Sequence, residues 1–432
     1  MSETMILTER HLITPKHKHF KEIDELSFKS KNLYNQANFR VRKAYTDKDN
    51  PKYRNFYEIQ REMQNENQVD YRSLPAQVSQ QVLMKLHDNW NAHFKASKEY
   101  KLHPNKFKCE PKIPNYKNIK NGRNVVIYTS QAISRKDLKN GFIKLSKSEI
   151  RIKTKVDTSR IKEVRIVPRI KSYYIEVVYE KDISTIQKSN ISVGIDLGVN
   201  NLCTVVTSEG KKLIVNGKPL KSMNQYYDKK KAKLQSNLPE KQHTSNKITK
   251  LTNKRNNKVN DYLHKASRYI IDYCLTMNVD RIIIGKNDGW KQEVNMGKKN
   301  NQNFVNIPHA RLIQMIEYKA KLNGIETICV TEEYTSKCSF IDDEKLCKHD
   351  EYCGDRIKRG LFRSKDGYLI NADINGACNI LKKVVSNFKV NLKNEIEVIV
   401  VSPKVVTLWR VFIFFYEKTN HNRYVHNIIV EK

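Results

Sequence analysis

The stretch Val193-Gly194-Ile195-Asp196-Leu197-Gly198-Val199-Asn200-Asn201 constrains this chain more than any other. Its apolar, β-branched approach predicts a strand over 191–197, a tight turn, and a second strand over 202–207. Aspartate is disfavoured inside strands, so Asp196 needs a reason. A carboxylate held on a rigid sheet is a hard-oxygen ligand suited to Mg2+. The alternative is a hairpin aspartate that hydrogen-bonds its own turn.

A chain of 432 residues should make two or three domains, each able to bury a core. Its 80 Lys and Arg against 46 Asp and Glu leave a formal charge of +34, spread along the whole length. Self-repulsion on that scale disfavours compactness, which points to a polyanionic partner, and 22 Tyr with 14 Phe offer surfaces on which bases stack. A membrane role is not expected. No basic amphipathic helix or lipidation signal stands out, and the longest apolar run, 405–416, is interrupted by Arg410 and falls short of the roughly 20 residues a span needs. Residues 1–9 carry no signal-peptide pattern and the 8 cysteines are irregularly placed, so the expected setting is cytoplasmic and nucleoid-associated, with reduced thiols.

Residues 5–14 read as a strand, followed by helical patterning. Ser73 is the expected cap of a helix with Pro75 in its first turn and an apolar stripe at Val78, Val82, Leu86, Trp90 and Phe94. Residues 101–120 are Pro-broken, basic and dotted with aromatics. Lys106, Lys112, Tyr116 and Lys117 are the candidates there for contact with a nucleic-acid backbone, a plain surface linker being the alternative. Short strands over 124–129, 141–145, 149–153, 163–167 and 173–179 suggest a small barrel or sandwich. Beyond the polar linker 181–190 the pattern turns to β-then-α. A basic helical stretch over 224–273 presents Lys254, Arg255 and Lys258 as further backbone-contacting candidates. The strand 281–284, the helix 308–323 and the strand 326–331 imply a right-handed parallel pair in one sheet.

GIDLGVNN, the segment NQNFVNIPHARLIQMIEYKAKLNGI, YTSK at 334–337, GDRIKRGLF at 354–362 and NADINGACNI at 371–380 resemble the transposon-encoded TnpB family. LPAQVSQQ, PKIPNYK and YTSQAIS in the first half resemble its helical and β-barrel parts. The resemblance covers about 5–407 in the family's order. It implies an α+β multidomain fold, in which a RuvC/RNase H-like α/β nuclease domain joins a small wedge-like β-barrel domain carrying an inserted helical recognition domain. The implied divisions are 1–14 and 121–185 for the barrel and 15–120 for the recognition domain. Residues 191–335 and 366–407 form the nuclease domain, with a basic helical insertion at 224–275. Residues 336–365 form a degenerate zinc-ribbon-like, target-strand-loading insertion, and 408–432 a tail outside the resemblance.

The same resemblance implies an RNA-guided DNA endonuclease whose partners are a guide RNA and double-stranded target DNA. Its carboxylates would converge on two Mg2+ (or Mn2+) ions. Asp196 is then the first carboxylate and Asp373 the last. The usual second, a Glu at the end of strand 281–284, is replaced here by Gly285. Either the protein binds guided DNA without cutting it, as a repressor-like protein, or another acid substitutes. Asp288, Glu293 and Glu317 are more remote. Glu332 and Glu333 leave the adjacent strand, about 4.8 Å away, and faces alternate along a strand, so one of the two is expected to point in, with Glu332 favoured as the metal ligand. Relatives often carry a four-Cys zinc ribbon, but here Ile341 stands where the partner of Cys338 is expected. Cys338, Cys347, His349 and Cys353 could compose a zinc site, yet the compact pairs are missing and unligated thiols are the expectation. Arg356, Lys358 and Arg359 form a basic, hairpin-like stretch suited to tracking a nucleic-acid strand. The sequence leaves the oligomeric state open.

Overall fold

The structure is a computed structural model that describes residues 3–185, 188–240, 242–286, 305–358, 360–385, 388 and 404–408. The chain divides into two compact units, Met1–Asp182 and Ile183–Lys432.

The first unit runs β1 (Thr4–Ile13), α1 (Phe20–Tyr45), α2 (Phe56–Asn65), α3 (Val69–Arg72), α4 (Ala76–Leu102), β2 (Val126–Thr129), α5 (Arg135–Lys139), β3 (Phe142–Lys144), β4 (Arg151–Lys153), β5 (Ile161–Arg169) and β6 (Ser172–Asp182). Its main sheet is antiparallel in the order β1-β6-β5-β2, while β3 and β4 pair as a separate ribbon. The α4 stripe is core: Val78, Val82, Leu86 and Trp90 are buried, and the Trp90 indole N–H donates to Asn38 Oδ1 of α1 at 3.1 Å. Ser73 does not cap this helix. It ends α3 with its hydroxyl donating to the Asp70 carbonyl, and Pro75, with its fixed φ, takes the N-cap position. The loop 103–120 is strapped to α1 through its carbonyls, which accept from Lys31 Nζ, Asn35 Nδ2 and Asn38 Nδ2 at 2.7–2.9 Å.

The second unit contains β7 (Ser192–Leu197), β8 (Asn201–Thr207), β9 (Lys212–Asn216), α6 (Lys218–Gln235), α7 (Asn246–Thr276), β10 (Arg281–Gly285), α8 (His309–Leu322), β11 (Glu326–Val330), β12 (Asp355–Lys358), β13 (Leu361–Arg363), β14 (Leu369–Asn371), α9 (Ala372–Lys382) and β15 (Lys404–Val406). The basic stretch read as one helix is two, α6 and α7. The sheet order is β11-β10-β7-β8-β9-β15, with β10 parallel to both β7 and β11, and β7, β8 and β9 antiparallel in turn. One face carries Val193, Ile195, Ile282 and Ile284 against Leu263, Ile270, Leu312 and Ile316 of α7 and α8. The other carries Val206 and Ile283 against Ile374, Ala377, Ile380 and Leu381 of α9. Strands buried on both faces explain the near-continuous apolar runs at β7 and β10. This mixed sheet between helical layers is a RuvC/RNase H-like α/β fold. Among the described residues, no helix is long and apolar enough to cross a membrane.

Candidate active site

Register brings three strand ends together. Ile284 pairs with Ile195, so Gly285 falls level with Asp196, and Gly285 in turn pairs with Val330. Asp196 lies on the face covered by α9, where a Cβ on Gly376 would stand 3.2 Å from its Oδ2. The glycine thus lets the helix backbone approach the carboxylate. Burial, then the charges of Glu332 and Asp373, hold the Asp196 carboxyl well above the usual carboxylate range, against the opposing pull of Arg356. The turn that follows is fixed by buried His309, whose Nε2 donates to the Gly198 carbonyl at 3.0 Å.

A Cβ on Gly285 would stand 2.8 Å from both Cγ and Oε1 of Glu332, and 2.6 Å from Ile380 Cδ1. The Glu332 side chain therefore fills the space into which a side chain at 285 would project. Alternation along the strand explains it, because Glu332 lies two residues beyond Val330 and returns to the face of Gly285. Glu333 is exposed. Burial pushes the Glu332 carboxyl up to about 7, partly offset by the Lys383 ammonium. Lys383 Nζ donates to the carbonyls of Thr331 (2.6 Å) and Glu333 (3.1 Å), gripping the backbone on both sides of Glu332.

Asp373 lies in the first turn of α9. Asn371 caps that helix, its Oδ1 accepting from the N–H groups of Asp373 and Ile374. The Asp373 Oδ2 accepts from Asn201 Nδ2 at 2.7 Å, and its Oδ1 lies 3.6 Å from Arg356 Nη2. Among the described residues, Asp196, Glu332 and Asp373 do not form a group whose donor oxygens all lie within 4.8 Å of one another.

The basic candidates divide. Lys112, Lys254, Lys258 and Lys358 are exposed. Lys106 is exposed but paired with Glu99 at 2.8 Å. Tyr116 lies under the Arg42 guanidinium, and Lys117 over the Tyr34 ring. Arg255 is half-buried and donates to protein acceptors, Asn224 Oδ1 (2.8 Å), Asn256 Oδ1 (3.0 Å) and the Asn306 carbonyl (2.9 Å). Arg356 is exposed and faces Asp373. Arg359, Asp288 and Glu293 lie outside the described residues, as does the tail beyond 408. Cys338 is buried, Cys347 half-buried and Cys353 exposed.

The sequence reading missed Asn201, Lys383 and Glu344. It also missed the asparagines Asn375 and Asn379, which are fully buried on α9 and donate to the Cys338 carbonyl at 2.9 and 2.8 Å. Asparagines spaced by four on an apolar helix were the available signal, since buried amides need partners.

Residues 174–291 match the family described as probable transposase (OrfB_IS605), and residues 309–380 match the Cas12f1-like TNB domain. The chain is 28% identical over 234 residues to the CRISPR-associated endodeoxyribonuclease Cas12f2 of a Micrarchaeota archaeon (strain CG1_02_47_40), covering 50% of this chain and 41% of that protein. It is 34% identical over 131 residues to a TnpB-like protein of Methanocaldococcus jannaschii, covering 29% and 46%. The chain thus spans less than half the length of these curated relatives. Among solved structures it resembles a Cas12f1–sgRNA–target DNA complex at a TM-score of 0.51 and 16% identity, covering 84% of this chain and 83% of that one. This likeness concerns the fold alone.

Proposed function

We propose that this chain, which belongs to the TnpB family, is an RNA-guided DNA endonuclease in which Glu332 has taken over the place of the acid missing at Gly285. The observation that carries the reading is the Glu332 carboxylate lying where a side chain at 285 would point. Asp196, Glu332 and Asp373 would hold Mg2+ or Mn2+. All three offer hard oxygens, and the rise in the Asp196 carboxyl, caused by burial and then by its acidic neighbours, is one that bound dications would oppose. When bound, such ions supply an activated water and neutralise the charge on the leaving oxygen of a phosphodiester.

The chain's own residues do the positioning. Asp196 sits near the end of the interior strand β7, backed by the α9 backbone at Gly376, which fixes its direction. Asn201 donates to one oxygen of Asp373 and leaves the other toward Arg356. The Arg356 guanidinium, exposed beside the acids, is placed to take a phosphate oxygen of the bound strand. Lys383 holds both backbone carbonyls flanking Glu332 and so sets the angle at which that side chain returns to the site.

Guide RNA and double-stranded target DNA are the proposed partners, and the +34 charge together with exposed Lys112, Lys254, Lys258 and Lys358 supports a polyanion along the surface. The competing reading, guided DNA binding without cleavage, rests on Gly285. One experiment separates the two. Protein co-purified with RNA transcribed from its own locus is incubated with a plasmid that matches the guide, with and without Mg2+ or Mn2+. Cleavage that requires the dication and disappears in Asp196→Ala supports the endonuclease. Guide-dependent binding with no cleavage in either metal supports the competing reading.

A further inference from the structure

The zinc ribbon implied for the 336–365 insertion does not suit the residues of this chain. The Cys338 thiol donates to the Lys345 carbonyl at 3.4 Å, and His349 Nε2 donates to the same carbonyl at 2.7 Å. Both atoms therefore carry protons where a metal needs lone pairs. Cys353 is exposed, and Cys347 Sγ lies 3.5 Å from His349 Nε2, the nitrogen already engaged with the Lys345 carbonyl. Among the described residues, the one group of three donors within 4.8 Å of one another is Cys338, Glu344 and His349, and it draws on the same Cys338 and His349 side chains.

Glu344 is the residue in that group with a different set of bonds. It is 6% exposed, and its two carboxylate oxygens accept backbone N–H groups from opposite arms of the insertion, Ser339 at 2.7 Å and Cys353 at 3.0 Å. Its own N–H donates to the Ser339 carbonyl at 3.1 Å, and its carbonyl accepts from Lys382 Nζ of α9 at 3.2 Å. A zinc ribbon joins two arms by binding thiolates from each. Here one buried carboxylate joins them by accepting an N–H from each, as charged acceptors do strongly.

We propose that the Glu344 carboxylate replaces the metal as the cross-link of this insertion, which folds without zinc. The cross-link has a structural consequence. Cys338, on the first arm, is tied by its carbonyl to Asn375 and Asn379 of α9, the helix that begins with Asp373. The second arm passes from Cys353 directly into β12, which carries Arg356. Glu344 thereby fixes Arg356 relative to Asp373 through protein contacts alone.

The test uses the full-length chain purified without added metal. Zinc is measured by plasma mass spectrometry, and thermal melts are run with and without 1,10-phenanthroline. We expect zinc far below one per chain and a melting temperature that the chelator leaves unchanged. Glu344→Ala should lower the melting temperature by roughly 5 °C or more, with Cys338→Ser/Cys347→Ser within about 2 °C of the parent. Glu344→Gln, which keeps one acceptor oxygen, should fall between the parent and the alanine variant and serves if the latter is insoluble. One zinc per chain whose removal lowers the melting temperature overturns the proposal, as does a Glu344→Ala protein that melts like the parent. None of these readouts depends on nuclease activity.

Discussion

The Oε1 of Glu332 lies 2.8 Å from the position a Cβ on Gly285 would occupy, so two residues on neighbouring strands compete for one space. The competition dictates a mutational pattern. Glu332→Gln keeps the shape and removes the charge, and should reduce plasmid cleavage by about 100-fold or more with target binding unchanged. Exposed Glu333→Ala should cut at the parental rate. Gly285→Ala should impair cleavage by pushing Glu332 aside, whereas Gly285→Glu combined with Glu332→Ala should recover part of the activity. Ile380 Cδ1, 2.6 Å from the same Cβ position, keeps that recovery incomplete. Cleavage time courses on one matched plasmid read all four variants. Wild-type rates in Glu332→Gln would remove Glu332 from the site.

Much of this centre is local and therefore visible in the sequence. An aspartate in an apolar strand marks Asp196, and the strand–helix–strand order that makes β10 and β11 neighbours directs attention to the acids leaving β11. The choice between Glu332 and Glu333 stays open in the sequence, because a one-residue difference in the exit turn reverses the face. Contacts across long separations stay hidden for a different reason. Asn201 meets Asp373, and Arg356 turns from a strand-tracking cation into a neighbour of the acids, only through the packing of α9 on the sheet. Charge alone also says nothing of the protein partners Arg255 has. A count of cations does not reveal which ones already have protein partners.

The raised Glu332 carboxyl makes both stability and metal binding depend on pH. With a folded-state value of about 7 against an ordinary value near 4.5, the folded state keeps its proton longer than the unfolded chain. The metal-free protein should therefore lose stability as pH rises from about 4.5 to about 7 and level off above, by an amount on the order of 1–3 kcal/mol. Adding Mg2+ should flatten this dependence, because the ion competes with the proton. The Mg2+ concentration for half-maximal cleavage should correspondingly fall as pH rises from 6 to 8. Melting curves across pH with and without Mg2+, and Mg2+ titrations of cleavage, measure the two effects. A requirement for Mg2+ that is independent of pH would count against Glu332 as a ligand.

Among the described residues, Asn201 provides a neutral donor to the Asp373 carboxylate, at 2.7 Å. Asn201→Ala leaves Asp373 free to swing toward Arg356 and should reduce cleavage roughly 10- to 100-fold, the usual scale for partners that orient a metal-binding carboxylate. Guide and target binding should be unchanged in gel-shift assays, because Asn201 is half-buried beneath the acids rather than on the basic surface. Asn201→Asp should be worse than alanine, since it sets a second negative charge against Asp373. An aspartate variant as active as the parent would show that the amide does not orient Asp373.

Lys383 acts on Glu332 in two separable ways. Its ammonium grips the Thr331 and Glu333 carbonyls at 2.6 and 3.1 Å, and its charge lowers the Glu332 carboxyl. Lys383→Met removes both. The strand exit is then freer to slip, which lowers the maximal rate, and Glu332 loses its cation, which moves the pH at half-maximal cleavage upward. Lys383→Arg keeps the charge and should hold the pH profile near the parental position even where the maximal rate falls. A merely structural lysine would change the melting temperature of both variants and leave the midpoint of the pH–rate profile in place. An upward shift in Lys383→Met that Lys383→Arg reverses is therefore the specific signature of a residue that positions and tunes Glu332.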